Sequence, residues 1–268
     1  MNHERNLAKS IAGRNLQPGK VLMLRFPSLP APLPALYGVK ETTPIMEIRL
    51  PDNYCRSRKF PLFIFLCGGR GGGGLSIAMK IMGPRDWILG GLPLFKKQVD
   101  KKESYDGLLV CFEDFPVISR SYGTMLNRLF RTVPNIDSKR SVIGGGSNGA
   151  HTLAVLISGQ DGTILSSFRD YFFGEGGMLQ LADLHKRSLR GHRFLMLAGA
   201  KGRRAARPRK FEDFYLIQSR TVRSLAKLNG LDFTLIVRSD MGHAFDSRCM
   251  TAVRHWVCRR KSCAIVHN

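Results

Sequence analysis

The chain has 268 residues, enough for one large α/β domain that buries a full core without disulfide staples. Lys and Arg number 42 against 20 Asp and Glu, a net charge of +22, yet 43% of residues are apolar, which excludes a disordered basic tail protein. The charge is spread evenly: residues 1–134 hold 20 basic and 10 acidic residues, leaving 22 and 10 for 135–268, whereas a nucleic-acid arm would concentrate its charge.

The elements follow in chain order. Residues 1–44 are poorly periodic and read as an N-terminal extension, with Lys20–Phe26 as a short edge strand. Pro27, Pro30, Pro32 and Pro34 keep the next stretch extended or looped. From 45 to 268 a single domain is expected. Ile45–Leu50 reads as a strand, and Phe60–Cys67 (FPLFIFLC) as a doubly buried parallel strand, since it is apolar without a break. It runs into GGRGGGG, read as a loop. Trp87–Val99 is mixed and reads as partly helical, and Gly107–Phe112 as a strand.

Ser121–Val133 is expected to be a helix with Met125, Leu126, Leu129 and Phe130 on one face. Ser141–Ile143 is a strand entering GGGSNG, and Ser147–Ser158 the helix that follows. Tyr171–Phe173 and Arg193–Ala198 read as strands, and Lys210–Asn229 as an amphipathic helix stopped by Gly230. Phe233–Val237 is the last strand and Ala244–Arg259 the closing helix. This alternation predicts a three-layer α/β fold, a mostly parallel sheet with helices on both faces. In such sheets the site lies at the carboxyl ends of the strands.

Of six cysteines, at 55, 67, 111, 249, 258 and 263, none forms a C-x-x-C pair and none has a histidine at zinc spacing. A disulfide is open among Cys249, Cys258 and Cys263; no metal and no cofactor is expected. No apolar run reaches the roughly 18 residues of a membrane span. Glu4 and Lys9 stand where a signal peptide needs its apolar core, so the expected address is cytoplasmic, or secreted or periplasmic if the start is truncated.

Three segments that follow strands carry chemistry. Gly145-Gly146-Ser147-Asn148-Gly149 fits G-x-S-x-G in the strand-to-helix context that motif requires. There the serine Oγ stands free at a helix N-terminus, where the dipole favours developing negative charge, and the Asn148 N–H is one oxyanion donor. Cys67-Gly68-Gly69 ends the FPLFIFL strand, and the Gly69 N–H is the candidate second donor. His243, in Met241-Gly242-His243-Ala244-Phe245, follows the last strand and precedes the last helix, the place of a general base. The bland readings are a serine N-cap, a glycine loop and a packing histidine.

Strand-CGG, GGSNGAH, a long helix, then a strand and GHAF together resemble the α/β-hydrolase superfamily over roughly residues 45–260. In detail they are similar to its small lidless esterases, the group of feruloyl esterases and polyhydroxyalkanoate-depolymerase-like enzymes. The resemblance implies an α/β-hydrolase fold and a serine esterase with Ser147 as nucleophile, His243 as base and Asn148 and Gly69 at the oxyanion positions. Cys67 stands where that family usually has a histidine.

The family usually places its third residue, an Asp, after the strand read as Arg193–Ala198. Here Gly199-Ala200-Lys201-Gly202-Arg203-Arg204 follows. Asp161, Asp170 and Asp183 flank elements away from the active end, and Asp232 precedes its strand. Glu175, one step past the Tyr171–Phe173 strand, is the leading acid, with Glu212, Asp213 and Asp240 as alternatives.

The expected substrate is a small or polymer-linked ester in an open cleft, since no long insertion supplies a lid. The basic run Lys201–Lys210 would favour an anionic ester. Three rival readings stand beside this one. The missing Asp and the replaced loop histidine suit a catalytically weakened or non-catalytic binding protein on the same fold. Gly69–Gly74 and Gly144–Gly149 match G-x-G-x-x-G, but neither is followed by the ribose-binding acid of a dinucleotide site. Specific nucleic-acid binding lacks a motif or interleaved aromatic and basic residues.

Overall fold

The computed structural model describes residues 16–29, 35–37, 40–69, 71–95, 112–178, 181, 187–200 and 210–259. The strand expected at Gly107–Phe112 and the basic run Lys201–Lys210 lie almost wholly outside them.

The strands are β1 (Val21–Arg25), β2 (Ala35–Tyr37), β3 (Lys40–Thr42), β4 (Ile45–Arg49), β5 (Leu62–Leu66), β6 (Ile88–Leu92), β7 (Leu94–Phe95), β8 (Val142–Gly146), β9 (Asp170–Gly174), β10 (Arg193–Gly199) and β11 (Asp232–Arg238). The helices are α1 (Gly74–Met82), α2 (Phe115–Thr132), α3 (Asn148–Ser158), α4 (Gly162–Ser167), α5 (Lys210–Leu228) and α6 (Ser247–Cys258). Eight strands form one sheet in the order β1-β4-β6-β5-β8-β9-β10-β11. β4 runs antiparallel to β1 and β6, and the pairs from β6 to β11 are all parallel. β2, β3 and β7 form a small second sheet.

The two faces of the sheet explain the apolar runs. In β5, Leu62, Ile64 and Leu66 join the core with α2 and α3, while Phe63 and Phe65 turn to the opposite core with α1 and α6. β9 divides in the same way, Tyr171 and Phe173 against Phe172. A strand buried on both faces has no polar alternation to show. The second core contains an aromatic stack: Phe63 and Phe65 stack on Phe172, and Phe245 tilts against Phe65. The result is the expected three-layer α/β fold, a mostly parallel sheet with helices on both faces. β1 pairs along its length with β4 at the sheet edge, where the sequence places an edge strand.

Two expectations are corrected in one place. Ile88–Leu92 is a buried strand, not partly helical, and the chain turns helical earlier, at Gly74. The glycines explain both. A Cβ on Gly91 would lie 2.5 Å from the Leu75 backbone nitrogen, and one on Gly74 would lie 2.5 Å from the Phe65 carbonyl oxygen. Bare backbone on both elements lets α1 pack directly onto β5 and β6. The run read as a loop is therefore, at its end, a helix start. Elsewhere the ends shift. α2 begins at Phe115, with Pro116 in its first turn where no N–H is needed. α6 begins at Ser247, capped by Asp246, which accepts from the Cys249 N–H at 2.9 Å.

Cys249 and Cys258 are both free thiols, so the disulfide left open between them does not form; Cys263 lies outside the described residues. Among the described residues, no helix is long and apolar enough to cross a membrane, and no group of His, Cys, Asp and Glu is arranged to hold a metal.

Candidate active site

β8 delivers Ser147 through a turn with no slack. Ser147 sits at φ 50°, ψ −117°, a conformation that L residues rarely adopt and that costs about 1–3 kcal/mol. Its surroundings over-determine it. Its N–H donates to the Gly174 carbonyl at 2.8 Å, and its carbonyl accepts from the His151 N–H at 3.0 Å. The flanking glycines of the motif are required by contact. A Cβ on Gly149 would lie 2.1 Å from the Leu66 carbonyl oxygen, and one on Gly145 would lie 2.4 Å from the Gly149 carbonyl carbon. The strand-to-helix turn thus exists because two residues of G-x-S-x-G have no side chain.

His243 meets this serine from the loop between β11 and α6. Its Nε2 lies 3.0 Å from Ser147 Oγ. Its Nδ1 lies 3.5 Å from Glu175 Oε2, with the Glu175 side chain largely buried and that of His243 about a third exposed. An Nδ1–H facing the carboxylate leaves Nε2 to accept the serine proton. The other carboxylate oxygen, Glu175 Oε1, accepts a hydrogen bond from the Gly199 N–H. Glu175 is itself held in the left-handed region at φ 54°, with its N–H on the Leu197 carbonyl at 3.0 Å. A hydroxyl within reach of an imidazole, backed by a carboxylate, can lose its proton as it attacks.

Asn148 and Gly69, the residues read as oxyanion donors, are joined by a hydrogen bond. Asn148 opens α3 directly after Ser147. Gly69 lies in a turn closed by the Gly71 N–H on the Gly68 carbonyl at 3.1 Å. The Asn148 Nδ2 donates to the Gly69 carbonyl at 2.9 Å. Cys67, at the foot of this loop, packs its half-buried thiol toward the α1 side, and burial pushes its pKa up.

The alternative acids are placed elsewhere. Asp240 accepts from Arg238 at 2.7 Å and from Arg248 at 2.6 Å, and the bond to Arg238 holds its carboxyl below the usual range. Glu212 and Asp213 lie in α5, but their side chains fall outside the described set. Asp161 caps α4, accepting from the Ile164 N–H at 2.8 Å. Asp170 and Asp232 both meet Arg193 at the amino end of the sheet, at 3.3 and 3.7 Å. His151, one turn into α3, is buried and accepts the Gly177 N–H on Nδ1 at 3.1 Å.

Three partners have no sequence signal: the Gly199 N–H, the Asn148 amide, and Arg238. The Glu175 carboxylate, just past the end of β9, takes the Gly199 N–H at the end of the neighbouring strand β10. Arg238 ties together the two ends of the His243 loop, through Asp240 and through Asp246 at 2.6 Å.

No family model and no curated protein matches the chain. Solved structures match its fold. Esterase 2 of Thermogutta terrifontis, in its butyrate-bound form, superposes with a TM-score of 0.51 at 13% identity, over 89% of this chain and 96% of that one. An acylaminoacyl peptidase from Pyrococcus horikoshii superposes at 0.56 with 14% identity, over 92% of this chain but 41% of its own. An esterase from Rhizomucor miehei gives 0.50 at 11% identity, over 96% and 87%. At these identities the likeness is one of fold, and it defines the chain as having the α/β-hydrolase fold.

Proposed function

We propose that the protein is a serine hydrolase that cleaves carboxylic esters through an acyl-enzyme. The observation that carries this is the placement of Ser147 Oγ 3.0 Å from His243 Nε2, with Glu175 behind the other ring nitrogen. In the first half-reaction Ser147 Oγ attacks the ester carbonyl carbon while His243 Nε2 takes its proton. The carbonyl oxygen becomes an oxyanion facing the Asn148 and Gly69 N–H groups. The intermediate collapses, the C–O bond to the alcohol breaks, and His243 returns the proton to the leaving oxygen. Water, deprotonated by the same imidazole, then releases the acid and restores Ser147. Glu175 fixes the ring tautomer and stabilises the imidazolium.

Within the α/β-hydrolases, we place the chain nearest the lidless feruloyl and polyhydroxyalkanoate-depolymerase-like esterases, on the CGG, GGSNGAH and GHAF segments. The substrate is then a small or polymer-linked ester, and the run Lys201–Lys210 favours an anionic one. The T. terrifontis esterase that shares the fold has been captured with butyrate bound and phosphonylated by cyclosarin. Those two forms suggest the first probes.

The test is turnover of p-nitrophenyl acetate and butyrate beside Ser147→Ala. Wild-type turnover that disappears in the variant is the expected result. No wild-type turnover, or turnover that survives Ser147→Ala, would refute the proposal.

A further inference from the structure

We infer that the Asn148 side chain is a positioning residue that sets the second oxyanion donor, so that one residue builds both halves of the oxyanion hole. The inference rests on the esterase reading above and goes beyond it, since there Asn148 contributes only its backbone.

The peptide joining Gly68 to Gly69 carries the Gly68 carbonyl at one end and the Gly69 N–H at the other. Because the peptide is planar and trans, these two groups point in opposite directions. The Gly68 carbonyl is held by the Gly71 N–H at 3.1 Å. That bond fixes one side of the plane and turns the Gly69 N–H away from the turn. The remaining freedom lies in the Gly69 backbone, which sits at φ 59° with no atom within 4 Å of where a Cβ would stand. Nothing packs on the side of Gly69 where a side chain would stand. What restrains its far side is the Asn148 Nδ2 bond to the Gly69 carbonyl, 2.9 Å long.

Asn148 itself cannot drift. It is the first residue of α3, and its backbone is locked by the strained serine before it and Gly149 after it. The loop is thus referenced to the nucleophile through a single amide that spans 79 positions of sequence. Only a donor serves at this point, because the partner is a carbonyl. An asparagine amide supplies one, whereas a carboxylate of the same shape would face that carbonyl with its own lone pairs.

Asn148→Asp and Asn148→Ala separate this role from a structural one. The staple is solvent-exposed, so the fold should survive both changes. A carboxylate at a helix N-terminus is favoured by the dipole, so Asn148→Asp should hold or raise Tm. Its kcat on p-nitrophenyl butyrate should nevertheless fall about 100-fold, with KM within about threefold. Asn148→Ala, which adds no charge, should lower kcat about 10-fold. A boronic acid, whose tetrahedral adduct places an oxygen in the oxyanion hole, should lose affinity in parallel with kcat.

Wild-type kcat and boronate affinity in both variants would overturn the inference. So would loss of folding in both, since the residue would then be structural. The esterase reading fails separately, if the wild-type protein does not turn over the ester or is not labelled at Ser147 by a fluorophosphonate.

Discussion

β9 carries a carboxylate at each end, and the two have opposite environments. Asp170, its first residue, is almost fully buried and paired with Arg193 of the neighbouring strand at 3.3 Å. Glu175, one residue past its last, faces His243 and hangs from the Gly199 N–H of that same neighbour. The same two strands, β9 and β10, are therefore bridged twice. At the amino end a side-chain pair satisfies charge on charge with ordinary backbone. At the carboxyl end both Ser147 and Glu175 take positive φ, and an acid, an imidazole and a hydroxyl line up. The amino end pairs charges on unstrained backbone, and the carboxyl end holds an acid, an imidazole and a hydroxyl on strained backbone.

Substitutions at the two ends should separate accordingly. On the proposed mechanism, in which Glu175 sets the imidazole tautomer, Glu175→Gln should cut kcat/KM by about 10³–10⁴ with little change in Tm. Unchanged turnover in a purified Glu175→Gln variant would remove it from the site and return Asp213 or Glu212 to consideration. Asp170→Ala should do the reverse. Leaving Arg193 without this buried partner should destabilise by about 3 kcal/mol, read by denaturant unfolding, while turnover per folded molecule stays at the wild-type value. A large kcat loss with intact stability at position 170 would erase the distinction between the ends.

The two site-proximal histidines offer a smaller contrast of the same kind. His151→Phe leaves the buried Gly177 N–H without its acceptor and should cost about 1–3 kcal/mol in stability but no proton transfer. His243→Phe should abolish turnover with near-native unfolding. The smallest effect concerns the clamp on the His243 loop. The hydrogen bond from Arg238 lowers the Asp246 carboxyl to about 2, and the α6 cap bond from the Cys249 N–H adds to this. Because the folded value is the lower one, the stabilisation is complete above the ordinary carboxylate range. It is lost as pH falls through that range toward about 2. Asp246→Asn should flatten this part of an acid-unfolding curve; an unchanged curve would show that the clamp adds nothing.

Much of this was legible in the sequence, for a physical reason. A doubly buried strand must be apolar throughout, and a strand-to-helix turn this tight must shed its side chains, so FPLFIFL and GGSNG announce themselves. Ser147 and Glu175 each stand one residue past a strand end and His243 lies in the loop after the last strand, while the sequence leaves the acid open among Glu175, Glu212, Asp213 and Asp240. What was hidden depends on contacts between distant segments. The helix at Gly74–Met82 lay behind a glycine run whose cause is the approach of Gly91 on another strand. The amide of Asn148 finds the Gly69 carbonyl across 79 positions, with no local pattern to mark it. The small sheet of β2, β3 and β7 joins a proline-rich stretch to Leu94–Phe95, which neither segment alone implies.

The central claim is that Ser147 is an activated nucleophile. Intact-mass spectrometry after exposure to a fluorophosphonate tests it most directly, read beside Ser147→Ala and Glu175→Gln. The account predicts one adduct per chain, mapped by digestion to the peptide bearing Ser147, formed slowly in Glu175→Gln and absent from Ser147→Ala. An unlabelled wild-type protein, or an adduct that persists in Ser147→Ala, would contradict it.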